Sequence, residues 1–165
     1  MREVSPRLAA LVFAAGVFSL DLATKTLIRA RVGFWDTYVV IPGFFNIVRV
    51  ENRGIAFGLL SNGGGEWRTL ALIAVSAAVL AFVASLLWQP HRHGSLVRAA
   101  LALVLGGAAG NLYDRVVHGA VTDFIDLHVG RYHWPAFNVA DSAITLGAAL
   151  LLADLWRGRR KETSS

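Results

Sequence analysis

The chain has 165 residues, 55% of them hydrophobic and only 16% charged, with 16 Lys and Arg against 11 Asp and Glu and a formal charge of +5. A soluble chain carries about a quarter charged residues, so a mean hydropathy of +0.53 excludes disorder and argues against an ordinary soluble globule, whose small body cannot hide so much apolar surface. Without a single Cys there is neither a disulfide framework nor a Cys-ligated zinc or iron–sulfur centre, and a membrane-embedded protein is the expectation.

In chain order, the first candidate span is 8–30. It opens with the uncharged run Leu8–Leu20 and then meets Asp21 and Lys25. Arg2 and Arg7 ahead of that run also fit a signal peptide, but the apolar character continues through Leu27 and Ile28, long enough to cross. The connection 31–66 is too long for a simple link. Within it the β-branched and aromatic stretches Thr37–Ile41 and Phe44–Val50 flank Pro42-Gly43, a type II turn pair. They predict a small β-sheet at the membrane surface, followed by the loose Asn62-Gly63-Gly64-Gly65. Thr69–Trp88 is the clearest span, a 20-residue run without a charge. The third span, 96–113, leads into Gly106-Gly107-Ala108-Ala109-Gly110, a tract that lets helices approach closely in lipid. The fourth, 134–156, carries Asp141 about two turns in, and also Asp154; the last five or so residues read as a frayed tail. Four spans place both termini on one side. Lys and Arg are dense in residues 1–7, 89–98 and 157–162, which favours the cytoplasm for that side. The basic pI near 10.4 is thus a signal of topology and of lipid headgroup contact, and no basic patch with interleaved aromatics points to nucleic acid.

Charges inside spans are costly and mark function by default. Asp21 and Lys25, spaced i and i+4, can neutralise each other on one helix face. Asn111 and Asp114 share a face at the end of the third span, and Arg115 can satisfy the Asp114 carboxylate, which suits Asp114 to a scaffold role. Asp123, among apolar residues without an adjacent cation, and Asp141 both fall near the outer interface. Two carboxylates meeting there share one proton, giving an acid and a base near neutral pH that can activate water against a peptide carbonyl. Asp123, Asp126, His128 and His133 are ligand types too, but their spacing matches no strong metal motif. There is no Gly-x-Ser-x-Gly turn for a nucleophilic serine. A proton conductor using Asp21, Asp114 and Asp141 would need polar groups through the midplane, whereas the carboxylates gather near one face and 69–88 offers no path. A non-catalytic scaffold assembled through Gly106–Gly110 would tolerate Asp→Asn changes silently.

Five blocks in order carry a resemblance. They are Asp21-Leu22-Ala23-Thr24-Lys25, Asn52-Arg53-Gly54-Ile55-Ala56-Phe57, Gly106–Arg115, Val121-Thr122-Asp123-Phe124 and Phe137-Asn138-Val139-Ala140-Asp141. Together they resemble the lipoprotein signal peptidases, also called signal peptidase II. The resemblance implies an all-α membrane protein: four transmembrane helices with a small extracytoplasmic β-sheet cradle and a short amphipathic outer segment, forming one integral-membrane peptidase domain over 1–165. It implies an aspartic endopeptidase of the bacterial cytoplasmic (inner) membrane that removes signal peptides from diacylglyceryl-modified prolipoproteins, cutting just before the lipidated Cys. Asp123 and Asp141 would be the catalytic pair. Asn111, Asp114, Arg115 and Asn138 would be the polar surround, with Asp21, Lys25, Asn52 and Gly54 in supporting positions. The family uses no metal or other cofactor and is inhibited by globomycin-type cyclic peptides; a monomer among membrane lipids is expected, without nucleic acid. Leu22 stands where the family often has Gln, and Ile55 where it often has a small residue. A segment around Asn52–Asn62 is expected to close over the scissile bond as a lid.

Overall fold

The computed structural model describes residues 5–54, 65–89 and 94–162. Its elements run α1 (Pro6–Arg31), β1 (Thr37–Ile41), β2 (Phe45–Asn52), α2 (Gly65–Leu87), α3 (Ser95–His118), β3 (Val121–Val129), β4 (Tyr132–His133) and α4 (Val139–Glu162). All four helices are long and apolar enough to cross a membrane. The segment Ile55–Asn62 expected to act as a lid, the glycines Gly63 and Gly64 and the terminal residues 163–165 lie outside the described residues.

Local signals set the helix ends. Ser5 caps α1, its hydroxyl accepting from the Leu8 amide, and Pro6 occupies the first turn, where no amide partner is needed. At the other end of α3, Gly119 takes φ 72° and donates its N–H to the Arg115 carbonyl, a left-handed stop that glycine adopts without strain. α3 therefore runs about a turn past the expected end at Tyr113.

The small-residue tract does what the sequence predicts. A Cβ on Gly106 would press on the Ala14 carbonyl and Val17 of α1, and one on Gly107 on the Ala140 carbonyl and Ile144 of α4. From the α4 side, Gly147 sits against the Ala100 carbonyl. Backbones in such contact gain dispersion and give up little side-chain entropy. α3 is thus the central helix, half buried along its apolar window, while α2 buries 11% of its window and turns Leu70, Val75 and Phe82 outward.

The four strands form one antiparallel sheet in the order β1-β2-β3-β4. Thr37–Ile41 pairs with β2 through the Pro42-Gly43 turn, as predicted, with Gly43 at φ 76°. β2 pairs in turn with β3, which places Val50 opposite Asp123 and Asn52 opposite Val121. The fourth helix starts later than the expected 134. Residues 134–137 run extended beside β3, with Phe137 exchanging backbone hydrogen bonds with Ile125 at 2.8 and 3.1 Å. Pro135 biases the residue before it toward extended geometry, and Asn138 supplies the cap, so helix begins at Val139. Asp141 consequently sits in the first turn of α4 rather than two turns in.

Candidate active site

The site forms where the start of β3 meets the first turn of α4, over the C-terminal ends of α1 and α3. Asn138 organises it. As the N-cap of α4, its Oδ1 accepts from the Asp141 amide at 2.9 Å, and Asp141 Oδ2 accepts in return from the Asn138 amide at 3.3 Å. This is a capping box built with Asp in place of Glu. The Asn138 Nδ2 amide then donates to Asp123 Oδ1 at 2.7 Å. One fully buried asparagine thus holds both carboxylates, one through its backbone and one through its side chain.

Each carboxylate has a second amide. Asn52 Nδ2 donates to Asp123 Oδ2 at 3.0 Å, while Asn52 Oδ1 accepts from the Gly54 amide at 2.8 Å. That turn fixes which way the Asn52 amide points. Gly54 can make it because it has φ +77° and no Cβ, which would collide with Leu72 of α2. On the other side, Asn111 Nδ2 donates to Asp141 Oδ1 at 2.8 Å. Asn111 is oriented in turn by Lys25, whose ammonium donates to Asn111 Oδ1 at 2.9 Å.

Beneath the pair lies a buried charge ladder. Lys25 contacts Asp21 Oδ2 at 2.8 Å and Asp114 Oδ2 at 3.4 Å, and Arg29 reaches Asp114 Oδ1 at 3.0 Å. The expected Asp21–Lys25 neutralisation is present. Asp21 also accepts from the Ala140 amide at 2.9 Å, so it ties α1 to the start of α4. Asp114 further accepts from the Thr122 amide at 3.0 Å, and Arg29 donates to the Thr122 hydroxyl at 2.9 Å. The expected Arg115–Asp114 pairing does not form. Adjacent residues on a helix point about 100° apart: Asp114 turns to α1, whereas Arg115 donates to the Asn111 carbonyl at 3.2 Å and lines the cleft beside Asp123. Arg29 and Thr122 were not singled out from sequence. The available signal for Arg29 was its place one turn after Lys25 and two after Asp21, on the same helix face.

Asp123 is almost fully buried. Burial pushes its carboxyl up from 3.8 to about 6, and the neighbouring Asp141 charge adds to this, against the opposing bonds from Asn52 and Asn138. Its sheet neighbour Asp126 behaves oppositely. Burial would raise it, but hydrogen bonds from His133 at 2.8 Å and Asn46 at 2.9 Å hold it below the ordinary carboxylate range. Asp123 therefore faces a different set of partners from Asp126, His128 and His133. Among the described residues no three His, Asp or Glu side chains gather closely enough to hold a metal ion.

Asp123 borders a solvent-accessible cleft of about 760 Å³, lined also by Asn52, Gly54, Arg115, Leu72 and Ala136 among others. Two carboxylates held by one buried asparagine, one of them lining a water-accessible cleft, on a bundle of four apolar helices, fit a membrane-embedded enzyme. The family model described as Signal peptidase (SPase) II matches residues 13–157, and the chain belongs to that family of membrane proteases. A lipoprotein signal peptidase from Solibacter usitatus (strain Ellin6076) is 51% identical over 148 residues, 90% of each chain. One from Azoarcus sp. (strain BH72) is 45% identical over 152 residues, covering 92% of this chain and 85% of the relative. A solved bacterial membrane enzyme, determined by the in meso method at 2.3 Å resolution, superposes with TM-score 0.79 at 31% identity, over 90% of this chain and 88% of the other.

Proposed function

We propose that the chain, acting as one domain over residues 1–165, is an aspartic endopeptidase that removes the signal peptide from diacylglyceryl-modified prolipoproteins, cutting just before the lipidated Cys. The observation that carries this reading is the shared Asn138, which holds Asp141 next to Asp123 at the cleft that Asp123 lines. Asp123 holds the proton of the pair, in keeping with burial and the adjacent Asp141 charge. Asp141 takes a proton from water as the water oxygen attacks the scissile carbonyl carbon, and Asp123 gives its proton to the carbonyl oxygen. The resulting gem-diol collapses: Asp141 returns its proton to the amide nitrogen, the C–N bond breaks, and a hydroxyl proton goes back to Asp123. Arg115 lines the cleft beside Asp123 and is placed to hold a substrate carbonyl through its guanidinium. No metal or other cofactor enters any step.

The same reading sets the chain in the cytoplasmic membrane of a bacterium, as a monomer with both termini in the cytoplasm and the cleft near the outer face. A lipidated substrate arrives there sideways from the bilayer. Globomycin-type cyclic peptides would occupy the cleft. The test is cleavage of a diacylglyceryl-modified prolipoprotein in detergent with chelator present. Wild type cuts; Asp123→Asn and Asp141→Asn, still folded, do not. Retained cleavage by either variant refutes the pair as the catalytic groups.

A further inference from the structure

A second cavity of about 550 Å³ lies beside the catalytic cleft, within the range of clefts that hold ligands. The two share three lining residues, Val50, Pro135 and Ala136, so they adjoin across a common wall. The second cavity has aromatic walls in Phe34, Trp35 and Trp134 and polar groups in Arg49, Asp126 and His133. Trp35 and Trp134 are 97% and 69% exposed, so their ring faces are open to a ligand in the cavity.

The cavity is preformed. The Arg49 guanidinium stacks 4.1 Å from the centre of the Phe34 ring and donates to the Arg29 carbonyl at the end of α1. The Gly33 amide donates to Asp36 Oδ2 at 2.9 Å, closing the turn that carries Trp35. The His133–Asp126 bond fixes the other wall. None of these bonds depends on the catalytic carboxylates.

The two cavities differ in chemistry. The catalytic cleft reaches Leu72 on α2, the helix with the least buried, most apolar window. An apolar signal segment in the bilayer enters from that side. The second cavity is built from the α1–β1 turn, the sheet and the extended 134–136 segment, all outside the spanning helices. A polar peptide leaving the scissile bond away from the membrane runs toward it. Asp126 lies three residues beyond Asp123 on β3, about 10 Å at the rise of a strand. An extended substrate covers that distance in about three residues.

Building on the peptidase reading above, we infer that this second cavity is a subsite for the extended, polar mature segment that follows the lipidated Cys, about two to four residues past the cut. The prediction is a dependence on substrate length. The test uses two diacylglyceryl-modified prolipoprotein peptides, one ending one residue after the modified Cys and one extending six residues beyond it. In the wild type the longer peptide has a KM about tenfold lower, as expected for engaging one aromatic-walled subsite. Trp134→Ala and His133→Ala each raise KM toward the short-peptide value for the long peptide, leaving kcat unchanged. Both variants cut the short peptide like wild type, which also shows that they fold. Equal KM for the two peptides in the wild type sinks the subsite alone. An equal rise in KM on both peptides in Trp134→Ala marks a lipid contact instead and overturns the inference. A wild type that cuts neither peptide sinks the peptidase reading and the subsite with it.

Discussion

Replacing Lys25 by Met tests whether the buried charge ladder is what holds the site together. Lys25 is fully buried, and its ammonium meets Asp21 at 2.8 Å, Asn111 at 2.9 Å and Asp114 at 3.4 Å, one acceptor for each of its three protons. Asp21 and Asp114 balance Lys25 and Arg29, so the ladder is neutral. Met fills a similar volume but leaves one net negative charge buried, centred on Asp21, whose carboxylate has no other cation. Removing one partner of a buried pair costs about 3–5 kcal/mol, a large share of the stability of a small domain. Asp21→Asn added to Lys25→Met removes that orphaned charge and should return at least about 1 kcal/mol, a coupling that a double-mutant cycle measures directly. Denaturant unfolding in detergent micelles, followed by tryptophan fluorescence, supplies the four free energies. A loss below about 1 kcal/mol for Lys25→Met, or strict additivity in the double variant, refutes the reasoning.

Four further outcomes follow from the geometry. The folded pKa of Asp123, about 6, lies above the ordinary 3.8, so the native state binds more protons between about pH 4 and 6; stability falls as pH rises across that window by up to about 3 kcal/mol. Unfolding measured at pH 4 and pH 7 should show this slope in wild type and lose it in Asp123→Asn. On the proposed mechanism the singly protonated pair is the working form, and kcat/KM should fall as pH rises above about 6; a profile flat from pH 5 to 8 contradicts that. Gly54→Ala meets both a left-handed backbone, which costs about 1–2 kcal/mol, and Leu72. It should lower kcat at least tenfold by releasing Asn52 from Asp123, and Leu72→Ala should relieve only the steric part. Gly107→Val, pressed on the Ala140 carbonyl, should destabilise the α3–α4 pair by about 1–3 kcal/mol and broaden the site at Asp141, read as lower Tm together with lower kcat.

Much of this architecture was legible in the sequence because a bilayer leaves few choices. Uncharged runs of spanning length become helices, and α3 packs closely through its small residues, the glycines Gly106 and Gly107 among them. The strand pair around Pro42-Gly43 was equally legible, since β-branched runs flanking a type II turn have little alternative. Two features were not. Periodicity does not separate the extended segment 134–137 from the helix that follows, because Trp134, Ala136 and Phe137 are as apolar as a span; only Pro135 and the capping role of Asn138 mark the border. Charge pairing across helices was also hidden. Sequence neighbours offered Arg115 to Asp114, but a helix turns adjacent side chains apart, and the cations that reach Asp114 come from α1, 85 and 89 residues earlier.

The position of Asn138 explains why the acidic pair sits at a junction of strand and helix rather than inside the bundle. A cap residue must have its amide and side chain committed to the first helical turn, and Asp at the third helical position completes that commitment on Asp141. Its remaining Nδ2 protons are then free for a neighbouring element, and β3 delivers Asp123 to them because Phe137 is bridged to Ile125. Within a spanning helix the backbone amide that bonds Asp141 would not be available, since backbone N–H groups there are spent on the helix itself. The helix start thus supplies the donors, the strand supplies the second carboxylate beside a solvent-accessible cleft, and the neutral ladder of Asp21, Lys25, Asp114 and Arg29 locks both to α1 and α3.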